Sequence, residues 1–412
     1  MHQAFRTGAV AAAALLAVAG PAPLAAAADT APRQWYLDKM AADAMWKVGT
    51  GKGIKVAVIG TGVNPDTPSL RGQVLPGVDT LVADDLVKGS LTDTHDTTGA
   101  GTTAAELIAG TGKGGGLKGL APGVKIIPIR VPAIRHDELP DPNYPLETAI
   151  RAAVDHGAQI IDITVGNQYP IGTQLWGYGT LDRAVKKDVL MFAGVGDNAK
   201  AGNKPQYPAA YDQVVGVGAM DRTGTVTPTS QHGDDVDIAG PGVDIPRWCD
   251  ATFRRYCADG GGTAAASAIV SASAALVWSE HPDWTAAQVW RVLEDTAGRS
   301  WPADTPSVYL GYGVVRPRQV LVLGRGRPGA PDAHTSPYDV VPPKGSPTAS
   351  PAPSPSGGAS RPGGKSTGPV SAAATDSSDG SGAPLGPIAL VATGVVILAA
   401  TATWAVRRRR TR

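Results

Sequence analysis

Three shortages narrow this 412-residue chain before any motif is read. A surplus of one charge is missing: 37 Lys and Arg stand against 36 Asp and Glu, a formal net charge of +1, so the broad basic field that nucleic acid requires is excluded. Cysteine is scarce. Two cysteines, Cys249 and Cys257, and seven scattered histidines assemble no zinc spacing, and no segment has the spacing of a calcium loop. No metal or other cofactor is therefore expected. Aromatic residues are only 5% of the chain, whereas glycine reaches 52 residues, a balance that suits a tightly turned α/β fold and a flexible tail. Apolar residues concentrate between Trp35 and Val322, leaving room for one large core with extensions at both ends.

The ends are the most legible parts. Arg6, the apolar stretch Ala9 to Ala19 and the small residues Ala26 to Ala28 form the pattern of a secretory signal, predicted over residues 1–28. Residues 385–406 carry no charge and precede the run Arg407 to Arg410. As a helix they would extend roughly 33 Å, enough for a bilayer core. The arginines, in the tail 407–412, would stay cytoplasmic. Between the ends, residues 29–325 are read as the folded domain and 326–383 as a Pro/Ser/Gly-rich linker that cannot build a core. The expected arrangement is a domain outside the cytoplasm on a single membrane span. Outside the cell the two cysteines are expected to form a disulfide.

Short β-branched runs alternate with helical ones through the domain. Lys55 to Ile59, Lys125 to Val131, Gln159 to Val165, Val189 to Ala193 and Val214 to Val217 read as strands. Thr102 to Ala109, Leu146 to His156, Leu181 to Lys187, a small-residue stretch from Ala264 and Thr285 to Asp295 read as helices, after an amphipathic lead-in over Ala31 to Trp46. That alternation predicts a parallel sheet with helices on both faces.

Several of these segments resemble the subtilisin-like serine proteases, and their surroundings are similar to the mycosins, the membrane-anchored subtilases of type VII secretion. The resemblance is carried by Arg33 to Asp38, Thr50 to Ile59, Gly119 to Val131, Tyr207 to Tyr211, Asp237 to Val243 and Gly311 to Val315. It implies a subtilisin-like fold. It also implies an Asp that orients a His, a Ser nucleophile and an Asn for the oxyanion. Where the family motif reads Asp-Thr-Gly this chain has Gly60-Thr61-Gly62; where it reads Gly-His-Gly-Thr the chain has Gly99-Ala100-Gly101-Thr102. Gly262-Thr263 leads to Ala264 in place of the Ser, and the oxyanion position falls on Asp197, or on Asn198 with a one-residue slip.

Neither glycine nor alanine supplies a carboxylate, an imidazole or a nucleophilic oxygen, so no catalytic residue is assigned and the chain is read as not an enzyme. A relocated centre built on Ser267, one turn beyond Ala264, with His95 or Asp66, is set aside in favour of packing and solvated loops. Glu106 is read as a surface or ion-paired acid rather than a cleft acid, and His232 as structural. The strand and turn that pair with extended substrate in the family correspond to Ile160 to Gly166, so Asp162, Thr164, Val165 and Gly166 are the candidate peptide-cleft residues. Three functions follow as expectations: a pseudoprotease stabilising or regulating a type VII secretion assembly, a module binding extended peptides in the old cleft, and a serine endopeptidase. The membrane, secretion-system components and extended peptides are the expected partners, and nucleic acid is not.

Overall fold

A computed structural model describes residues 33–83, 88–131, 144–168 and 177–331. The expected signal, the linker, the membrane span and the basic tail lie outside the described residues. Among those described, no helix is long and apolar enough to cross a membrane.

The lead-in forms two short helices, α1 (Trp35–Lys39) and α2 (Ala42–Trp46), broken at Ala41, whose φ of 56° leaves the helical region. Two indole N–H groups tie it down: Trp35 donates to Val243 O at 2.9 Å and Trp46 to Leu120 O at 2.8 Å. Strand β1 (Lys55–Gly60) follows, then the short β2 (Val78–Asp79), α3 (Thr80–Ala83), α4 (Ala100–Ala109) and β3 (Lys125–Arg130). The second half runs α5 (Tyr144–Asp155), β4 (Ile160–Ile163), α6 (Gly177–Lys186), β5 (Leu190–Gly194), β6 (Val215–Met220) and β7 (Ile238–Pro241). A hairpin of β8 (Val243–Trp248) and β9 (Tyr256–Gly261) leads into α7 (Thr263–Glu280), α8 (Ala286–Asp295) and α9 (Pro317–Leu321).

Seven strands make one sheet in the order β2-β3-β1-β4-β5-β6-β7, and every pairing is parallel. Alternation within each strand sends side chains to two cores. Val56 and Val58 of β1 face the α4 and α7 side, and Ala57 and Ile59 face the α5 and α6 side. Because both faces are covered, the strands read as nearly continuous apolar runs. Helix α7 packs against β4, β5, β6, β7 and α4. Its Ala- and Ser-rich sequence follows from that enclosure, since 14 of its side chains, from Thr263 to Trp278, are buried. Helix α8 starts on a capping box: Thr285 Oγ1 accepts the Gln288 N–H, and Gln288 Oε1 accepts the Thr285 N–H.

Several elements escaped the sequence reading, among them β2, α3, α9, β7 and the β8–β9 hairpin. Strand β7 contains Gly240 and ends on Pro241, which hides it from propensity, but it is the edge strand of the sheet, where Pro is tolerated. The antiparallel β8–β9 hairpin carries the Cys249–Cys257 disulfide, with an S–S distance of 2.03 Å.

Candidate functional site

Strand β1 is flanked by β3 on one side and β4 on the other, so the chain changes direction across the sheet at the carboxyl end of β1. Ligands of open α/β sheets bind at such switch points. Three segments meet there. A Cβ placed on Gly60 would collide with Thr164 Oγ1 and lie 3.9 Å from Gly101 Cα, and one on Gly194 would lie 2.8 Å from Ala264 N. The ends of β1, β4 and β5 and the starts of α4 and α7 therefore converge, and Ala100, Thr164 and Ala264 share one cleft of about 320 Å³. Helix α4 supplies Ala104 and Leu107 to its wall, and the β8 strand supplies Ile245 and Trp248.

Its polar groups are already occupied. Thr164 Oγ1 donates to Ile59 O at 3.0 Å, Thr103 Oγ1 to Gly99 O at 2.7 Å, and Thr98 Oγ1 to Thr61 Oγ1 at 3.0 Å. Asp197 lies over the start of α7, where its two carboxylate oxygens accept the Thr263 N–H at 3.1 and 3.2 Å and Oδ2 accepts the Thr263 hydroxyl at 3.2 Å. Partial desolvation there raises its carboxyl above the ordinary range, and the Thr263 bonds oppose the rise. Asn198 instead heads the short turn Ala199–Ala201. Of the two residues named for the oxyanion position, the structure brings Asp197 to α7.

Asp96 was missed in the sequence. It is fully buried just before α4, and its carboxylate accepts from Thr61 Oγ1 at 2.7 Å, from Thr102 Oγ1 at 2.7 Å and from the N–H groups of Thr98, Gly99 and Thr102. An acid ahead of a helix with a Thr further on is a capping signal that could have been read from Asp96-Thr-Thr-Gly-Ala-Gly-Thr102. The carboxylate ties the β1–α4 connection to the first turn of α4.

Two expectations about side chains are corrected, those for Asp162 and Glu106. Asp162 does not line the cleft. Within β4 it shares a face with Ile160, toward α7, where Ser267 Oγ donates to Oδ1 at 2.6 Å and Ser271 Oγ at 3.1 Å. Burial pushes its carboxyl up to about 7, against the pull of the two serine bonds. Glu106 is neither a surface nor an ion-paired acid. It is fully buried on α4, accepting from Thr67 Oγ1 at 2.7 Å and Tyr256 OH at 2.6 Å, and desolvation raises it to about 7. His95 is exposed, its ring edge-on to Phe253 at 6.2 Å, and Asp66 is an exposed loop residue; neither is brought to Ser267, which is itself buried. His232 is held by Asn203, whose Nδ2 donates to His232 O at 2.7 Å, and its ring packs on Tyr309.

Val165 and Gly166 follow Thr164 in the chain but do not line the cleft, and Val165 packs toward the α5 and α6 side. Val165 is half-buried and Gly166 exposed, and among the described residues no backbone hydrogen bond engages either N–H.

Residues 51–315 match the subtilase family. The chain belongs to that family. Its relatives include fervidolysin of Fervidobacterium pennivorans, 30% identical over 306 residues that make up 66% of this chain and 41% of the relative. The thermophilic serine proteinase of Bacillus sp. (strain AK1) is 32% identical over 66% of this chain and 62% of its own length. The subtilase thus spans about two fifths to three fifths of these relatives. Among solved structures it is similar to the MycP3 protease from the type VII (ESX-3) secretion system, with 29% identity, a TM-score of 0.57, and coverage of 69% of this chain and 87% of that one. MycP1 from Mycobacterium smegmatis is 25% identical with a TM-score of 0.60, over 73% and 87%. The mycosin-like reading therefore stands.

These findings overturn one expectation, that the chain is not an enzyme. That reading rested on residue identities at positions 60, 100 and 264, each aligned through a short motif. Family membership rests on the sequence from 51 to 315, and the matched relatives are named as proteases and proteinases.

Proposed function

We propose that this subtilase is a membrane-anchored component of a type VII secretion assembly that takes extended peptide into its cleft. The observation that carries the peptide reading is the cleft at the carboxyl end of β1, lined by Thr164, together with the two residues that follow it, Val165 and Gly166, whose N–H groups no other described backbone engages. Such an edge adds a peptide strand through main-chain hydrogen bonds, and pockets beside it select side chains. The assembly is supported by the MycP1 and MycP3 neighbours, whose names place them in type VII secretion, and by the signal and span predicted in the sequence.

The test is fluorescence anisotropy of labelled extended peptides against the full-length protein in detergent, each compared with its backbone N-methylated counterpart. Alternate N-methylation removes the peptide's donors and puts methyl groups between the pairing strands, so that neither its N–H groups nor its carbonyls can close on the protein backbone, and binding is expected to weaken at least about tenfold. Equal affinity for both forms sinks the strand-addition reading.

A second reading, serine-type endopeptidase, is favoured by the family match and by proteases among the relatives. Mass spectrometry of the same peptides after incubation distinguishes it: new termini support hydrolysis, and intact peptide supports capture alone.

A further inference from the structure

The centre of the cleft has an unusual lining for a place where backbone elements converge. Its floor is methyl groups, from Ala100, Ala104, Ala264 and Ala265, and its walls include Leu107 and Trp248. The hydroxyls of Thr98, Thr103 and Thr164 all donate internally, so they offer no donor to a ligand without a rearrangement. The start of α7, which would otherwise attract an anion, is covered by the Asp197 carboxylate. The one cation in the lining, Arg247, is turned to the Trp248 and Cys249 carbonyls and to Asp259, so an apolar group entering the pocket would meet carbon on most sides.

The wall opposite is braced. Trp248 stacks on Tyr256 at 3.9 Å between ring centroids, and Tyr256 in turn donates its hydroxyl to Glu106 on α4. The backbone N–H of Trp248 donates to Thr103 Oγ1 at 3.0 Å, and the disulfide closes the hairpin next to it. A rigid aromatic wall keeps such a pocket open without ligand, which lowers the ordering cost of binding.

Resting on the peptide-binding reading above, we propose that the junction of Ala100, Thr164 and Ala264 is an anchor pocket that receives one large apolar side chain, Phe or Leu, of the bound peptide. The volume of about 320 Å³ leaves room for a Phe or Leu side chain.

The experiment uses full-length protein and a neutral extended peptide in which one position is varied among Phe, Leu, Ala and Asp. Burying Phe or Leu instead of Ala should tighten binding by about tenfold to a hundredfold, with Asp weakest. Ala100→Leu places branched carbon in the pocket from an exposed helix start, and Ala264→Leu fills it from the α7 side. Either should bring the Phe peptide down to the level of the Ala peptide, and thermal melting of both variants identifies a fold defect. Because Ala100 is exposed, its variant keeps the test decisive if Ala264→Leu unfolds. Equal affinity across the four peptides, or a Phe preference that survives Ala100→Leu, overturns the anchor pocket while leaving peptide binding intact. Failure of every peptide to bind overturns both readings together.

Discussion

Replacing Asp162 by Asn is expected to make the protein more stable at alkaline pH, although it removes a buried hydrogen-bonded acid. The carboxyl sits between β4 and α7 with no exposed surface. Oδ1 accepts from Ser267 and Ser271, and Oδ2 has no hydrogen-bond partner. No cation is among the causes of its shift; burial raises it and the two serines lower it, leaving it at about 7 against an ordinary 3.8. Between those values the folded protein holds a proton that the unfolded chain has released. The stability this group contributes is thus complete below about pH 3.8 and is lost as pH rises through about 7. The whole displacement corresponds to roughly 4 kcal/mol, of which roughly 2–3 kcal/mol falls between pH 5 and 8. Asn imitates the protonated form, keeps an acceptor for both serines and cannot ionise. Urea denaturation of the full-length protein and the variant at half-unit steps from pH 5 to 8 supplies a difference curve, which cancels other titrating groups such as Glu106 and Glu294. The difference should rise by roughly 2–3 kcal/mol in favour of the variant toward pH 8. A flat difference curve, or a variant less stable at pH 8, would refute the reasoning.

Three further outcomes follow from the same contacts. Glu106→Gln should also flatten the fall of stability between about pH 4.5 and 7, because Glu106 is held near 7 by burial; at pH 5 it should cost about 1–2 kcal/mol in denaturant titration, since its two oxygens accept from Thr67 and Tyr256 and an amide has only one. Gly262→Ala puts a Cβ 2.6 Å from Asp197 Oδ2 at a φ of 91°, so its melting temperature should drop by an amount equivalent to about 1–3 kcal/mol, and adding Asp197→Gly should restore part of it. Thr285→Ala removes half of the α8 capping box, with an expected loss of about 1 kcal/mol at the denaturation midpoint.

Much of the sheet was legible because parallel strands covered on both faces advertise themselves as β-branched runs. Lys55–Gly60 and Lys125–Arg130 fall within one residue of their predicted ends. Strand β7 was not legible, since Gly240 and Pro241 carry no strand propensity and its place was set by pairing with β6. At the site the picture divides similarly. Period-two parity in β4 puts Asp162 on the face of Ile160, but it puts Thr164 there too, so only the packing of α7 over Asp162 separates it from the cleft. Glu106 is a second case. Its helix positions are apolar around it, yet the hydroxyls that receive it come from Thr67 and from Tyr256, 39 and 150 residues away.

The sequence by itself determined the layer architecture, the small-residue helix α7 and the glycines at positions 60, 101 and 262, because periodicity and backbone permissiveness are local properties. It also determined which side chains stand at positions 60, 100 and 264. Only the tertiary structure decided what surrounds them: that Thr164 fills the space beside Gly60, that Asp197 covers the start of α7, and that Asp162 and Glu106 are buried against hydroxyls rather than cations. Those outcomes depend on contacts between segments tens to more than a hundred residues apart, and desolvation, which sets the charge of the buried acids, exists only once the chain has closed around them.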